Sequence, residues 1–254
     1  MNAATHWPYP TVIAHRGGGR HAPENTLAAV RHAAALGYSM IEYDVKLTAD
    51  GVPILLHDDT VERTSNGRGA AADLTFKALA DMDFGAWHGP GFAGEPIATL
   101  YAVARCSRAL HLCSNIELKP NPGDEVHTGA VVARYAARWW QGAPLPPLLS
   151  SFSPRALQAA REAAPELPRA LLIDGPVPAD WHAQVRDLGC IGLNIDHHHA
   201  HPEVVADILG QSCTVALWTV NDTARAAQLY SWGCHALFTD ELETCQPLAH
   251  RAQS

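Results

Sequence analysis

From Thr99 onward one unit recurs along the chain: a helical stretch, a residue that stops it, and a short apolar run. Residues 100–110 lead to the run 113–118, and residues 125–140 lead to 147–152. Ser153 and Pro154 open a helix that Pro165 stops before the run 169–173. Three more helices end at Gly189, Gly210 and Gly233, where glycine suits the left-handed position after a last turn, and the runs 190–195, 213–220 and 235–239 follow them. Strands that alternate with helices are joined by crossovers, so they lie parallel and are buried on both faces. Two similar units come first. Residues 12–14 open into a glycine-rich loop and a helix striped by Leu27, Val30 and Ala34 that Gly37 ends, and residues 40–45 form a second strand. Eight parallel strands, near positions 12, 41, 115, 149, 171, 193, 216 and 237, predict one TIM (β/α)8 barrel filling residues 1–254. An open, doubly wound sheet is the alternative, but Gly17-Gly18-Gly19 is not the G-x-G-x-x-G nucleotide fingerprint.

One stretch breaks the rhythm. After the second strand, Thr48-Ala49-Asp50-Gly51 reads as a tight turn into the β-type run 52–56. A turn this short joins only antiparallel neighbours, because a parallel crossover needs a dozen or more residues. The return arm brings His57 opposite Tyr43, between Glu42 and Asp44. Residues 58–97, rich in glycine, then form a connection too long to be idle: a small insertion beside the barrel mouth, with one short helix near 74–82 and exposed-type aromatics Phe84, Trp87 and Phe92.

Composition excludes several classes of function. The formal charge of −8 and the absence of a concentrated basic face argue against nucleic acid and against an anionic membrane surface. The first twelve residues lack the pattern of a signal peptide, no 18-residue apolar run exists, and the six scattered cysteines read as reduced thiols of a cytoplasmic protein. An anionic substrate therefore needs a local device, a metal or an arginine.

Such a device is legible at the strand ends, where a barrel keeps its chemistry. Alternate residues of a strand share a face, so Glu42 and Asp44 point the same way, and so do Glu117 and Lys119. Single strand-end acids usually cap helices or pair with lysines. Three on inward faces are different, because burying Glu42, Asp44 and Glu117 together demands a compensating cation, and oxygen ligands suit Mg²⁺ or Ca²⁺. His15 and His57 flank these acids, and two histidines with a carboxylate group suit metal-assisted phosphoryl transfer. Of 15 histidines most must be ordinary. His197, His198, His199 and His201 form a run whose adjacent side chains cannot all reach one ion, and Pro202 starts the next helix, although contact with substrate at the mouth stays open. Cys106 and Cys113 read as packing residues.

The run HRGGGRHAPENT at 15–26, E-x-D at 42–44 with T-x-D-G and HDD after it, IELK at 116–119, SSF at 150, WTVN at 218 and TD at 239 resemble the glycerophosphodiester phosphodiesterase family, in order along nearly the whole chain. The resemblance implies a TIM barrel that uses a divalent cation to hydrolyse glycerophosphodiesters to sn-glycerol 3-phosphate and an alcohol. By motif it makes His15 and His57 the acid–base pair, Glu42, Asp44 and Glu117 the metal ligands, and Arg16 and Lys119 the phosphate contacts. Which histidine is the acid stays open, as does whether water or a glycerol hydroxyl attacks. Trp218, Phe152 and the insertion's Phe84, Trp87 and Phe92 are candidates to pack the glycerol carbons, with a core role equally open for Trp218 and Phe152. Two rivals stand beside this reading: a phospholipase acting on lysophospholipids, and a non-catalytic barrel that binds a phosphorylated metabolite.

Overall fold

The computed structural model describes residues 7–251, so the first half of the segment judged free of a signal peptide lies outside the described residues. β1 (Val12–Ala14) opens through the three glycines into α1 (Leu27–Ala35), and β2 (Met40–Leu47) turns back as β3 (Pro53–Leu55). The insertion holds the one-turn helix α2 (Phe76–Ala80). Then come α3 (Leu100–Ala109), β4 (Cys113–Leu118), α4 (Glu125–Trp139), β5 (Leu148–Ser151), α5 (Pro154–Ala163) and β6 (Arg169–Ile173). α6 (Trp181–Leu188), β7 (Gly192–Asp196), α7 (Pro202–Gly210), β8 (Thr214–Trp218), α8 (Thr223–Ser231), β9 (Ala236–Thr239) and α9 (Leu242–Arg251) complete the chain.

The parallel strands run in sequence around a closed barrel: β9 joins β1 through Ile13↔Phe238, and β1 joins β2 through Ala14↔Ile41. β3 is antiparallel, with Val45 opposite Leu55, and two steps further this register sets His57 opposite Tyr43, as the turn length predicts. Side chains alternate about the wall. Outward residues such as Ile41, Tyr43, Val45 and Ile116 join the core beneath the helices, whereas Ile13, Met40, Leu148, Ala170, Ala216 and Ala236 fill the barrel's interior. Further along the same inward rows, toward the C-terminal ends of the strands, apolar residues give way to Glu42 and Asp44, Asn115 and Glu117, and Ser150. That switch converts a packed interior into a polar basin.

Local signals account for most element ends. Thr26, Thr99, Ser153 and Asp222 each accept a hydrogen bond from a backbone N–H of the following first turn, worth about 1 kcal/mol per cap. Gly37, Gly189 and Gly233 take positive φ beyond their helices. Gly210 differs from expectation: it is the last helical residue of α7, and Ser212 takes the left-handed turn at φ 57°. The insertion has a core of its own in which Ile54, Leu56, Val61, Leu79 and Ile97 surround Phe84. Phe84 is therefore buried, contrary to its exposed-type reading, while Trp87 is 41% exposed. No cysteine is in a disulfide, and no helix among the described residues is long and apolar enough to cross a membrane.

Candidate active site

Parallel register assembles the acids. Glu42 lies beside Asn115 and Asp44 beside Glu117 across the β2–β4 pair, and Glu117 lies beside Ser150 across β4–β5. The three carboxylates are buried and offer oxygens all within 4.8 Å of one another. Asn25, held at φ 59° at the foot of the glycine loop, donates from Nδ2 to Asp44 Oδ2 at 2.9 Å and accepts from the Asp44 N–H at 3.1 Å. Arg16 adopts φ 50°, and its N–H donates to Glu42 Oε2 at 2.9 Å. Left-handed backbone at a long side chain costs about 1–2 kcal/mol, which the surrounding loop must hold. Gly19 shows how the loop is wedged: a Cβ there would lie 2.2 Å from the Asp240 carbonyl oxygen.

Two cations lean on the acids. Lys119 Nζ donates to Glu117 Oε1 at 2.8 Å and stands 3.5 Å from Asp44 Oδ1, and Arg16 Nε is 3.7 Å from Asp44 Oδ2. The three acids consequently differ. Burial would raise Asp44, but Lys119, Arg16 and His57 outweigh it and hold this carboxyl well below its usual range. Burial and the charge of Asp44 push both Glu42 and Glu117 upward. Glu42 Oε1 is buried with no hydrogen-bond partner among the described residues. An unpaired buried oxygen in a cluster of three acids is what a hard divalent cation would satisfy, so the donor set fits one.

Each histidine is held by an acid next to it in sequence or space. His15 Nδ1 meets Asp240 Oδ1 at 2.6 Å, leaving Nε2 3.8 Å from Glu42. His57 Nδ1 meets Asp58 Oδ1 at 2.7 Å. Burial opposes charge on His15, but the bond to Asp240 and the charge of Glu42 prevail and its pKa is raised. For His57 burial prevails, helped by Arg16 and Lys119 against Asp44 and Asp58, and its pKa is lowered. Arg63 of the insertion bonds both oxygens of Asp58, at 2.6 and 2.9 Å, and both of Glu24, at 2.7 and 2.9 Å. Glu24 in turn accepts from Arg16 Nη1 at 2.8 Å.

All eight residues singled out from the sequence, His15, Arg16, Glu42, Asp44, His57, Glu117, Lys119 and Trp218, line one cavity at the barrel mouth. Phe152 closes it, edge-to-face with Trp218 at 5.6 Å and with its ring 5.4 Å from Lys119 Nζ. The Trp218 Nε1 donates to the Asn194 carbonyl, so the indole is both packed and part of the cavity wall. None of His197, His198, His199 and His201 is in that lining. His197 and His198 do bring ring nitrogens within 4.8 Å of each other and of an Asp196 oxygen, two of the run and not all four. Asp58 and Asp240 stand in motifs read from the sequence but were given no role there, and Glu24 and Arg63 were missed as site residues. The first two follow His57 and Thr239 within motifs already noted, whereas nothing local in the sequence marks the Glu24–Arg63 pair.

A closed βα barrel whose mouth gathers three acids, two histidines and two cations has the makings of an enzyme of the phosphodiesterase class. The sequence profile of the glycerophosphoryl diester phosphodiesterase family matches residues 15–244, and the chain belongs to that family. It is 33% identical over 237 residues to a glycerophosphodiester phosphodiesterase of Caldanaerobacter subterraneus subsp. tengcongensis, covering 92% of this chain and 95% of that protein. A Bacillus subtilis (strain 168) protein named for the same activity is 34% identical over 235 residues, covering 90% and 93%. The structure of an Oleispira antarctica phosphodiesterase in complex with the product sn-glycerol-3-phosphate superimposes with a TM-score of 0.89 at 33% identity, covering 97% of this chain and 98% of that one.

Proposed function

We propose that this enzyme hydrolyses glycerophosphodiesters to sn-glycerol 3-phosphate and an alcohol, with a divalent cation and His15 and His57 as its acid–base pair. The observation that carries the proposal is the cluster of Glu42, Asp44 and Glu117 beside two histidines whose Nδ1 atoms are each engaged by a carboxylate. Engaging Nδ1 fixes the ring and leaves Nε2 for the substrate. The sn-glycerol-3-phosphate held by the Oleispira relative supports the product.

Glu42, Asp44 and Glu117 would hold Mg²⁺ or Ca²⁺, which when bound supplies positive charge for a phosphate oxygen. Arg16 and Lys119 contribute further positive charge at that end of the cavity, and Phe152 with Trp218 packs the glycerol carbons. His15 lines a second, outer groove as well as the cavity, whereas His57 lines the cavity alone, so His15 is the one placed to protonate an alcohol departing outward. His57 takes the proton from the nucleophile seated within. Each transfer is typically worth ~10²–10⁴ in rate. The six unpaired cysteines support a cytoplasmic location.

Hydrolysis of glycerophosphocholine and of lysophosphatidylcholine, each with chelator and with Mg²⁺ or Ca²⁺ restored, tests the proposal. Cation-dependent release of glycerol 3-phosphate from the first, lost in His15→Ala and His57→Ala, is expected. Full activity in excess chelator, cleavage of the lysolipid alone, or turnover retained in both histidine variants would each refute it.

A further inference from the structure

The histidine run after β7 is a motif that the diester chemistry leaves unused, and the fold treats its members differently. Asp196 ends β7, and residues 196–199 form a turn in which the His199 N–H donates to the Asp196 carbonyl at 3.0 Å. Asp196 Oδ1 also accepts from the His198 N–H at 2.9 Å, the bond that a short acid makes to the backbone two residues on. In an extended segment neighbouring side chains diverge, but this turn holds His197 and His198 at its two central positions, and their ring centroids are 3.9 Å apart. One nitrogen from each ring and one oxygen of Asp196 all lie within 4.8 Å of one another. We propose that Asp196, His197 and His198 form a binding site for one transition-metal ion of the Zn²⁺ or Cu²⁺ class, separate from the cluster of Glu42, Asp44 and Glu117.

The donors select the ion. Two imidazoles with one carboxylate suit a borderline metal, whereas three carboxylates suit Mg²⁺ or Ca²⁺, so the two sites sort ions by ligand type. Ligand atoms around a tetrahedral ion stand roughly 3.4 Å apart at metal–ligand distances of about 2.0–2.2 Å. The His198 side chain is 74% exposed and can turn to close the set, giving up one bond to Asp196 at 2.8 Å. The turn accounts for that bond but not for His197, whose Nδ1 is buried with no hydrogen-bond partner among the described residues. A buried polar atom without a partner is costly, and it marks His197 as a residue with a ligand still to meet. The backbone beneath the rings is already fixed. The His197 N–H donates to the Trp218 carbonyl at 2.9 Å, and Arg225 of α8 donates to the carbonyls of His197 and Ala200. None of the three ligands lines the mouth cavity, so the site stands apart from the reacting centre and the inference does not depend on the hydrolysis proposed above.

The test titrates Zn²⁺ calorimetrically into the full chain held in saturating Mg²⁺, for the wild type, His197→Ala, His198→Ala, His201→Ala and Glu42→Gln, with folding checked by thermal melting. Losing an outer partner of a metal ligand typically costs about 10–100-fold in affinity, so losing a ligand itself should cost at least about tenfold. The wild type should bind one Zn²⁺ that Mg²⁺ does not displace, weakened by that factor in His197→Ala and His198→Ala and retained in His201→Ala and Glu42→Gln. His198 is exposed, so its variant keeps the test valid even if the half-buried His197 is needed for folding. Electron paramagnetic resonance with Cu²⁺ as the probe should show coupling to two imidazole nitrogens in the wild type and to one in His198→Ala. No Zn²⁺ bound beside Mg²⁺, binding unchanged in His198→Ala, or binding lost in Glu42→Gln or His201→Ala would overturn the site.

Discussion

Replacing Asp240 by Asn removes one charge from a pair 2.6 Å apart and leaves its shape intact, since the amide oxygen can still accept the Nδ1–H of His15. The side chains of His15 and Asp240 are 20% and 29% exposed, so solvent screens the pair only in part. A hydrogen bond between charged groups contributes about 1.5–3 kcal/mol, and partial exposure places this one near the lower end. At 1.36 kcal/mol per factor of ten, that is a loss of roughly 10- to 30-fold in kcat/KM where His15 has to be held protonated. The sign follows from the environment. Asp240 and Glu42 raise the pKa of His15 against burial, so losing the Asp240 charge lowers it, and an acid catalyst then deprotonates at lower pH. The alkaline limb of the pH–rate profile should move to lower pH, with the loss largest at alkaline pH and shrinking as pH falls. The assay is kcat/KM on a glycerophosphodiester with saturating cation, from about pH 5.5 to 9, beside the wild type. A loss below threefold, or one that is independent of pH, would refute the positioning role of Asp240. Movement of the acid limb instead would show that His15 is the base.

Two further outcomes test the acids and the loop. Burial raises Glu42 to about 7 and Glu117 to about 8 from 4.5, so each stabilises the cation-free fold below the unfolded pKa, and that contribution is lost as pH rises through these values. Cation binding near pH 6 should therefore release about one proton or more, read by calorimetry in buffers of different ionisation enthalpy, and affinity should climb up to about pH 8; proton-neutral binding would contradict the ligand set. Gly19→Ala combines positive φ with a Cβ 2.2 Å from the Asp240 carbonyl oxygen, so it should lower Tm and reduce kcat at least as far as Asp240→Asn. Gly51→Ala, also at positive φ but with nothing within 4 Å, should cost about 1 kcal/mol of stability and leave kcat alone; equal kinetic effects would show that the loop does not hold Asp240 in place.

The barrel and its acids were legible because both depend on periodicity. A helix-and-strand repeat dictates parallel strands, and a period of two puts Glu42 with Asp44, and Glu117 with Lys119, on one face whatever the strand's neighbours are. The hairpin register followed from turn length alone, and Val45↔Leu55 agrees with it. What period cannot supply is adjacency across the closure. Asp240 reaches His15 because β9 pairs with β1 through Ala14↔Thr239, a contact 225 residues apart in sequence. Asp58 is adjacent to His57 in sequence, yet its role depends on the Arg63 fork that also grips Glu24, and that link crosses from the insertion to the glycine loop. Phe84 and Trp87 show the same limit at close range: two aromatics in one glycine-rich stretch, of which the fold buries one and exposes the other. The two histidines thus draw unlike environments from different parts of the chain. Barrel closure gives His15 an acid partner that raises its pKa, while the hairpin returns His57 to a place where burial and two nearby cations lower it. On the proposed mechanism an acid and a base that differ in this direction are what a diester needs near neutral pH, and the difference arises from topology, because the two side chains are chemically identical.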